Sequence, residues 1–151
     1  MSKVKTLRQD KKRDLYPLWT FLVALLTATL MFLPSLIKGE GYFIFYGDFN
    51  VQQIPFYQYC HDAVRNLDFG WSWESDLGSN FIGSYSFYLL GSPFFWLTLP
   101  FPNHIVPYLM GPLLILKFAT AALTANLFIR RFTARGSTAM IGGLLYAFCG
   151  F

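Results

Sequence analysis

Hydrophobic residues in this chain form long runs that polar segments separate. The first run, residues 18–37, has no charged residue over 20 positions, which is long enough for a helix to cross a hydrocarbon layer of roughly 30 Å. The second run, residues 105–129, contains a single charge, that of Lys117. A third run begins near Ser137. The pattern predicts transmembrane helices at 15–37 and 105–129 and the start of a third, truncated one at 137–151.

A shorter apolar stretch, residues 85–101, can be placed in two ways. The tripeptide Gly91-Ser92-Pro93 interrupts it. If the stretch spans the membrane, Arg130 and Arg131 lie outside, whereas they lie inside if it is re-entrant or interfacial. Because basic residues concentrate on the cytoplasmic side of membrane proteins, we favour the second placement. Irregular backbone at membrane depth must be buried in protein, so the interruption is expected to pack against other helices.

Composition and charge indicate a multi-pass membrane protein with a cytoplasmic N-terminus. The chain is 54% hydrophobic and 13% charged, against about 25% charged residues in a soluble domain. Basic residues cluster in a tail, residues 1–14, and in a short loop, residues 130–136, so both are predicted to be cytoplasmic. These clusters suit the lipid bilayer and give no reason to expect nucleic acid as a partner. Cys60 and Cys149 are expected to be free.

Six of the eight acidic residues lie between Lys38 and Leu77, and none follows them. This places them in a predicted external loop, residues 38–104, where a membrane enzyme would act at the boundary between water and lipid. Two of them, Asp48 and Asp76, are candidates for chemistry. The other four are interpreted as solvated charges: Glu40, Asp62, Asp68 and Glu74.

A helix is predicted within this loop at about residues 55–67, because proline suits the first helical turn. The apolar face would carry Phe56, Cys60, Ala63, Val64 and Leu67, and the polar face Gln58, His61, Asp62 and Arg65. This periodicity fits an amphipathic helix on the membrane surface or, equally, a helix packed on other parts of the protein.

Asp48 is the candidate catalytic residue, within Gly47-Asp48-Phe49-Asn50. Neighbouring aromatic side chains could desolvate its carboxylate, and desolvation raises a carboxylate pKa toward a range useful for a general base. Gln52 could hydrogen-bond a polar ligand. The alternative is that Asp48 and Asn50 cap a helix that begins near Val51.

Three further residues are candidates for substrate binding. Asp76 and Asn80 could bind a ligand, or could form a turn with a helix cap. Lys117 lies roughly 18 Å into the second span, at 1.5 Å per residue from Ile105. An ionisable residue at that depth is functional by default, although a lysine that snorkels or faces a water-filled cavity is the alternative.

The order of several motifs resembles the start of the bacterial YfhO family of integral membrane proteins. These motifs are Gly47-Asp48-Phe49-x-x-Gln52-x-x-Pro55-Phe56, Asp76-Leu77-Gly78-x-Asn80, Phe87-Tyr88-Leu89-Leu90-Gly91-Ser92-Pro93-Phe94 and Leu145-Tyr146-Ala147-Phe148-x-Gly150-Phe151, together with Lys117. The resemblance implies the N-terminal fragment of an all-α polytopic membrane protein with a GT-C-like helical bundle. It also implies that the first external loop carries juxtamembrane helices and that Asp48 is its catalytic carboxylate.

The implied activity is that of a glycosyltransferase. Its donor would be a sugar linked to polyprenyl phosphate, and its acceptor a cell-envelope polymer such as lipoteichoic acid. Lys117, Arg65 or a divalent cation could balance the charge of the leaving lipid phosphate, and no other cofactor is expected. The fragment alone is expected to be inactive. A transporter or lipid flippase and a noncatalytic membrane assembly protein are the alternative functions.

Overall fold

The computed structural model describes residues 15–43, 47–75 and 77–149. The fold is mostly helical, as the sequence predicts. The described residues form α1 (Tyr16–Lys38), α2 (Ile54–Arg65), β1 (Trp71–Ser72), β2 (Ser79–Asn80), α3 (Phe81–Tyr85), α4 (Pro93–Trp96), α5 (Val106–Ile129) and α6 (Gly136–Phe148). Two π-helical turns, Phe49–Gln53 and Ser86–Leu90, precede α2 and follow α3, and the 3-10 turn Asn103–Ile105 leads into α5. The predicted tail, residues 1–14, lies outside the described residues.

Among the residues that the structure describes, two helices are long and apolar enough to cross a membrane. They are Tyr16–Lys38 and Asn103–Ile129, the second of which includes the 3-10 turn before α5. Large apolar side chains such as Leu26, Leu30 and Met31 are exposed along α1, which is the surface expected of a helix in contact with lipid.

The chain divides into two compact units, Met1–Leu26 with Phe118–Phe151, and Thr27–Lys117. In the first unit, small residues allow the helices to approach closely. Ala24, Ala119 and Ala122 form its buried core, with the larger apolar side chains around them. Asn126, which is fully buried, donates from Nδ2 to Thr20 Oγ1 at 3.0 Å. This hydrogen bond joins α1 to α5 within the apolar surroundings.

The second unit contains the connecting segment between α1 and α5, residues 39–102. One face of α2 packs into an aromatic core, where the Tyr57 ring meets Phe95 and the Phe56 ring meets Tyr85, both edge to face. Of the two interpretations of this helix, packing against the rest of the protein is the one that the structure shows.

One residue on each predicted face of the helix does not lie where the sequence pattern places it. His61, predicted on the polar face, is fully buried because its Nε2 donates to the Phe101 carbonyl at 2.9 Å. Leu67, predicted on the apolar face, is 77% exposed. The helix ends at Arg65 and Leu67 has a φ of +57°, so it is directed by the turn and not by the helical period.

The stretch 85–101 is not one helix. It contains the end of α3, the π-helical turn Ser86–Leu90, α4 and the turns that follow it. Gly91 and Ser92 separate the two helical parts, with Pro93 in the first turn of α4. Phe95 on α4 is fully buried in the aromatic core, so the part after the interruption packs against protein.

Close contact between α5 and α6 depends on Gly143. A Cβ atom there would lie 2.6 Å from the Ala122 carbonyl oxygen. Because this oxygen belongs to the backbone, the clash can be relieved only if one helix shifts. We predict that Gly143→Ala lowers the free energy of unfolding by about 1–3 kcal/mol, the usual cost of overpacking. Detergent-induced unfolding followed by circular dichroism measures it.

Gly142→Ala is the matched control. Its Cβ atom would meet the end of the flexible Ile129 side chain at 2.7 Å, which can rotate away, so we expect a change of about 0.5 kcal/mol or less. Equal destabilisation by the two substitutions would contradict the packing of these helices.

Candidate functional site

Asp48 begins a continuous helical segment that runs from residue 48 through the π-helical turn Phe49–Gln53 to the end of α2. It occupies the N-cap position of the π-helical turn, but its side chain makes no capping hydrogen bond. Asp48 thus lies at the predicted cap position, but its side chain does not cap the helix. The Asp48 side chain is exposed.

The aromatic neighbours of Asp48 do not bury it as the sequence suggests. The ring of Phe49 packs edge to face on the buried Phe43, with centroids 5.2 Å apart. Adjacent residues on a helix point about 100° apart, so this contact leaves the Asp48 side chain outside the aromatic core. Gln52 lies four residues further on and is half-buried, about one turn away on the same side of the segment.

Lys117 lies on α5 against the aromatic core. Its Nζ atom is 5.9 Å from the Tyr57 ring centroid and 5.7 Å from the Phe94 ring centroid, within the range of cation–π interactions. Within the described part of the chain, its ammonium forms no ion pair with a carboxylate. The half-buried ammonium of α5 therefore lies against rings of α2 and α4 with no carboxylate partner among the described residues.

Arg65 lies at the other end of the helical segment from Asp48. Arg65 follows Asp48 by 17 positions, which is roughly 25 Å at 1.5 Å per residue. The Arg65 guanidinium donates to the Phe101 carbonyl at 3.0 Å, and His61 donates to the same oxygen. Arg65 thus helps to fix the chain before α5 and does not lie beside Asp48.

Asn80 and Asp76 have separate outcomes. Asn80 caps α3, because its side-chain oxygen accepts from the Gly83 backbone N–H at 2.9 Å, as the turn-and-cap interpretation expects. Asp76 lies outside the described residues. Across residues 15–43, 47–75 and 77–149, no group of three or more His, Cys, Asp or Glu residues is arranged to hold a metal ion. A divalent cation stays a prediction.

Burial makes α2 chemically inert on its packed side. It raises the pKa of the Cys60 thiol to about 12, so the thiol is protonated at neutral pH and is a poor nucleophile. Burial, with a smaller contribution from Cys60, also raises the pKa of the Tyr57 phenol. Both cysteines are free, Cys60 buried and Cys149 exposed.

A cavity that the sequence analysis missed lies at the C-terminal end of α2. Its volume is about 420 Å³, and it is lined by Tyr59, Asp62, Ala63, Asn66, Asp68, Trp71, Ser72, Trp73 and Glu74. We call it the acidic–aromatic cavity. Three of the four acids interpreted as solvated charges line it together. The sequence contains part of the signal for this cavity, because Asp62 and Asn66 are four residues apart and share a helix face.

Comparison with known proteins gives one match. The family model described as Bacterial membrane protein YfhO matches residues 19–151, which include the whole connecting segment and helices α2 to α6. No curated protein and no solved structure matches the chain.

Proposed function

The chain belongs to the YfhO family of bacterial membrane proteins, whose model matches residues 19–151, and we propose on this basis that it is part of a membrane glycosyltransferase. The enzyme would move a sugar from a polyprenyl-phosphate donor to a cell-envelope acceptor outside the cytoplasm, such as lipoteichoic acid. The donor's lipid tail suits a membrane protein, because it keeps the substrate within reach of the bilayer surface.

In the proposed orientation the N-terminus is cytoplasmic and the connecting segment faces outward. The basic residues of 1–14 and 130–136 would then both lie inside. The connecting segment carries every acidic residue of the described chain, which places its carboxylates where a polar acceptor would approach.

Asp48 is the proposed general base. Its carboxylate accepts the proton of an acceptor hydroxyl as that oxygen attacks the anomeric carbon of the donor sugar. The bond from the anomeric carbon to the phosphate oxygen breaks, and the lipid phosphate leaves with the bonding electrons. The exposure of Asp48 supports this role, because a general base must come within hydrogen-bond distance of the hydroxyl that it deprotonates.

The environment of the Lys117 ammonium is the observation that carries the proposal. A half-buried ammonium without a carboxylate partner among the described residues has unused capacity to bind an anion, and a positive charge at this depth needs such a reason. It contacts Tyr57, nine residues after Asp48 on the same helical segment and roughly 13 Å along its axis. Lys117 would therefore stabilise the phosphate while Asp48 acts on the acceptor. Arg65 has no part in this arrangement, since it lies beyond reach at the other end.

Asp48→Asn tests the base directly. Because the amide cannot accept the hydroxyl proton, we expect transfer from a labelled polyprenyl-phosphate sugar to fall by about 10²–10⁴-fold, with normal insertion into the membrane. The assay uses the complete protein in proteoliposomes. Glu40→Gln is the control, since Glu40 is another exposed carboxylate of the connecting segment and should keep full activity.

Two results would reject the transferase assignment. One is undiminished transfer by Asp48→Asn. The other is movement of the labelled lipid across the bilayer without loss of its sugar, which a flippase would give.

Lys117→Met tests the phosphate site. Loss of a charge-assisted hydrogen bond costs about 1.5–3 kcal/mol, so kcat/KM for the lipid donor should fall about 10- to 100-fold. Lys117→Arg, which keeps the charge, should recover part of this loss. If methionine and lysine give the same kcat/KM, the ammonium does not bind the donor.

A further inference from the structure

We propose that the acidic–aromatic cavity binds a sugar unit that carries no negative charge. Its volume of about 420 Å³ lies within the range of roughly 300–1,000 Å³ usual for small-molecule sites. The lining combines three aromatic side chains with three carboxylates, an amide and a hydroxyl. This binding site is distinct from Asp48 and does not depend on its catalytic role.

The aromatic wall is built by the backbone around Gly78. Gly78 has a φ of +104°, and a Cβ atom there would lie 2.9 Å from Trp71 Nε1 and 2.9 Å from Trp73 Cε3. Both indoles therefore pack on a position that accepts only glycine. They meet edge to face, with centroids 5.9 Å apart and planes at 72°. Trp71 and Trp73 are nonetheless 58% and 76% exposed, so the described residues leave large apolar surfaces of both side chains uncovered.

The carboxylate of Asp62, on the opposite wall, is oriented by neighbouring side chains. The Asn103 amide donates to Asp62 Oδ2, and His61 Nδ1 lies 3.6 Å from Asp62 Oδ1. His61 is fully buried and uses Nε2 to donate to the Phe101 carbonyl. Its Nδ1 atom has no hydrogen-bond partner among the described residues. A buried nitrogen without a hydrogen-bond partner among the described residues therefore faces a carboxylate of the cavity wall. Such an arrangement costs free energy, and a functional site is one reason for a fold to keep it.

The charge of the lining selects the ligand. Asp62, Asp68 and Glu74 would repel a phosphate or a uronic acid, so the lipid phosphate of a donor cannot bind here. Carboxylates accept hydrogen bonds from hydroxyl or ammonium groups. An indole face has a negative quadrupole and attracts the C–H face of a pyranose ring. A neutral or amino-substituted sugar offers both kinds of group at once.

Membrane anchoring explains the two tryptophans less well. Indoles do favour the headgroup layer, but the surface of a bacterial membrane rich in anionic lipids would repel the three carboxylates beside them. Asp62 lies 14 residues after Asp48 on the helical segment, roughly 21 Å along its axis. Under the proposed transferase function, on which this last step rests, the cavity would bind a unit of the acceptor remote from the bond that forms.

Saturation-transfer NMR on the protein in lipid nanodiscs tests the proposal. The probes are methyl β-glucopyranoside, methyl N-acetylglucosaminide and glucosamine, with glucose 6-phosphate and tetramethylammonium for comparison. We expect saturation of pyranose ring protons by at least one uncharged or amino sugar. Trp73→Ala and Asp68→Asn should each raise the Kd for that sugar about tenfold or more. The first removes a stacking face and the second a charged hydrogen-bond acceptor.

Matched controls lie outside the cavity. Trp19→Ala removes an exposed indole of α1 and Glu40→Gln an exposed carboxylate, and neither should change the Kd. Asp48→Asn should also bind the sugar normally while it loses transfer, which separates this proposal from the catalytic one. Asp68→Asn is nearly isosteric, so it keeps the test valid if Trp73→Ala does not fold.

Four outcomes would overturn the proposal. They are no binding of any sugar, an unchanged Kd in Asp68→Asn, glucose 6-phosphate binding as tightly as the neutral glycosides, and binding of tetramethylammonium alone. The last would identify the cavity as a binding site for quaternary ammonium groups.

Discussion

The burial of one face of α2 is the constraint on which the connecting segment depends. Tyr57, Cys60 and Val64 pack into an aromatic core with α3, α4 and the start of α5. Burying such side chains contributes about 1.5–3 kcal/mol each, so the helix cannot rotate or slide without losing the core. This packing therefore sets the positions of the polar groups that α2 carries, such as His61, Asp62 and Arg65. The Phe101 carbonyl, which accepts from both His61 and Arg65, fixes the chain that leads into α5.

A rigid helix separates charges that sequence alone places in one acidic loop. Asp48 lies at its first residue, exposed and near the half of α2 that Lys117 contacts. Asp62 lies near its end, in the wall of the acidic–aromatic cavity. The separation matters for a lipid phosphate, because carboxylates close to it would repel its negative charge. The phosphate is proposed at Lys117, on unpaired positive charge, and the carboxylates of the cavity are left for hydroxyl groups.

The sequence predicts the fold class and the family well, because apolar runs and turn residues are local signals. It also predicts that Pro55 lies in the first turn of α2 and that both cysteines are free. It could not predict the burial of His61, whose partner is a carbonyl 40 residues away. The cavity was missed for the same reason. Its walls come from α2 and from residues 66–74, whose two indoles pack on Gly78, and only the folded chain brings them together.

The central claim is that Asp48 and the acidic–aromatic cavity are separate sites at opposite ends of one unbroken helix. Electron paramagnetic resonance between spin labels at Asp48→Cys and Asn66→Cys tests it, in a protein with Cys60→Ala and Cys149→Ser. The labels are 18 positions apart, which predicts a narrow distribution centred at roughly 27 Å. A broad distribution, or one centred below about 18 Å, would show that the helix breaks at Phe49–Gln53 and would contradict the account.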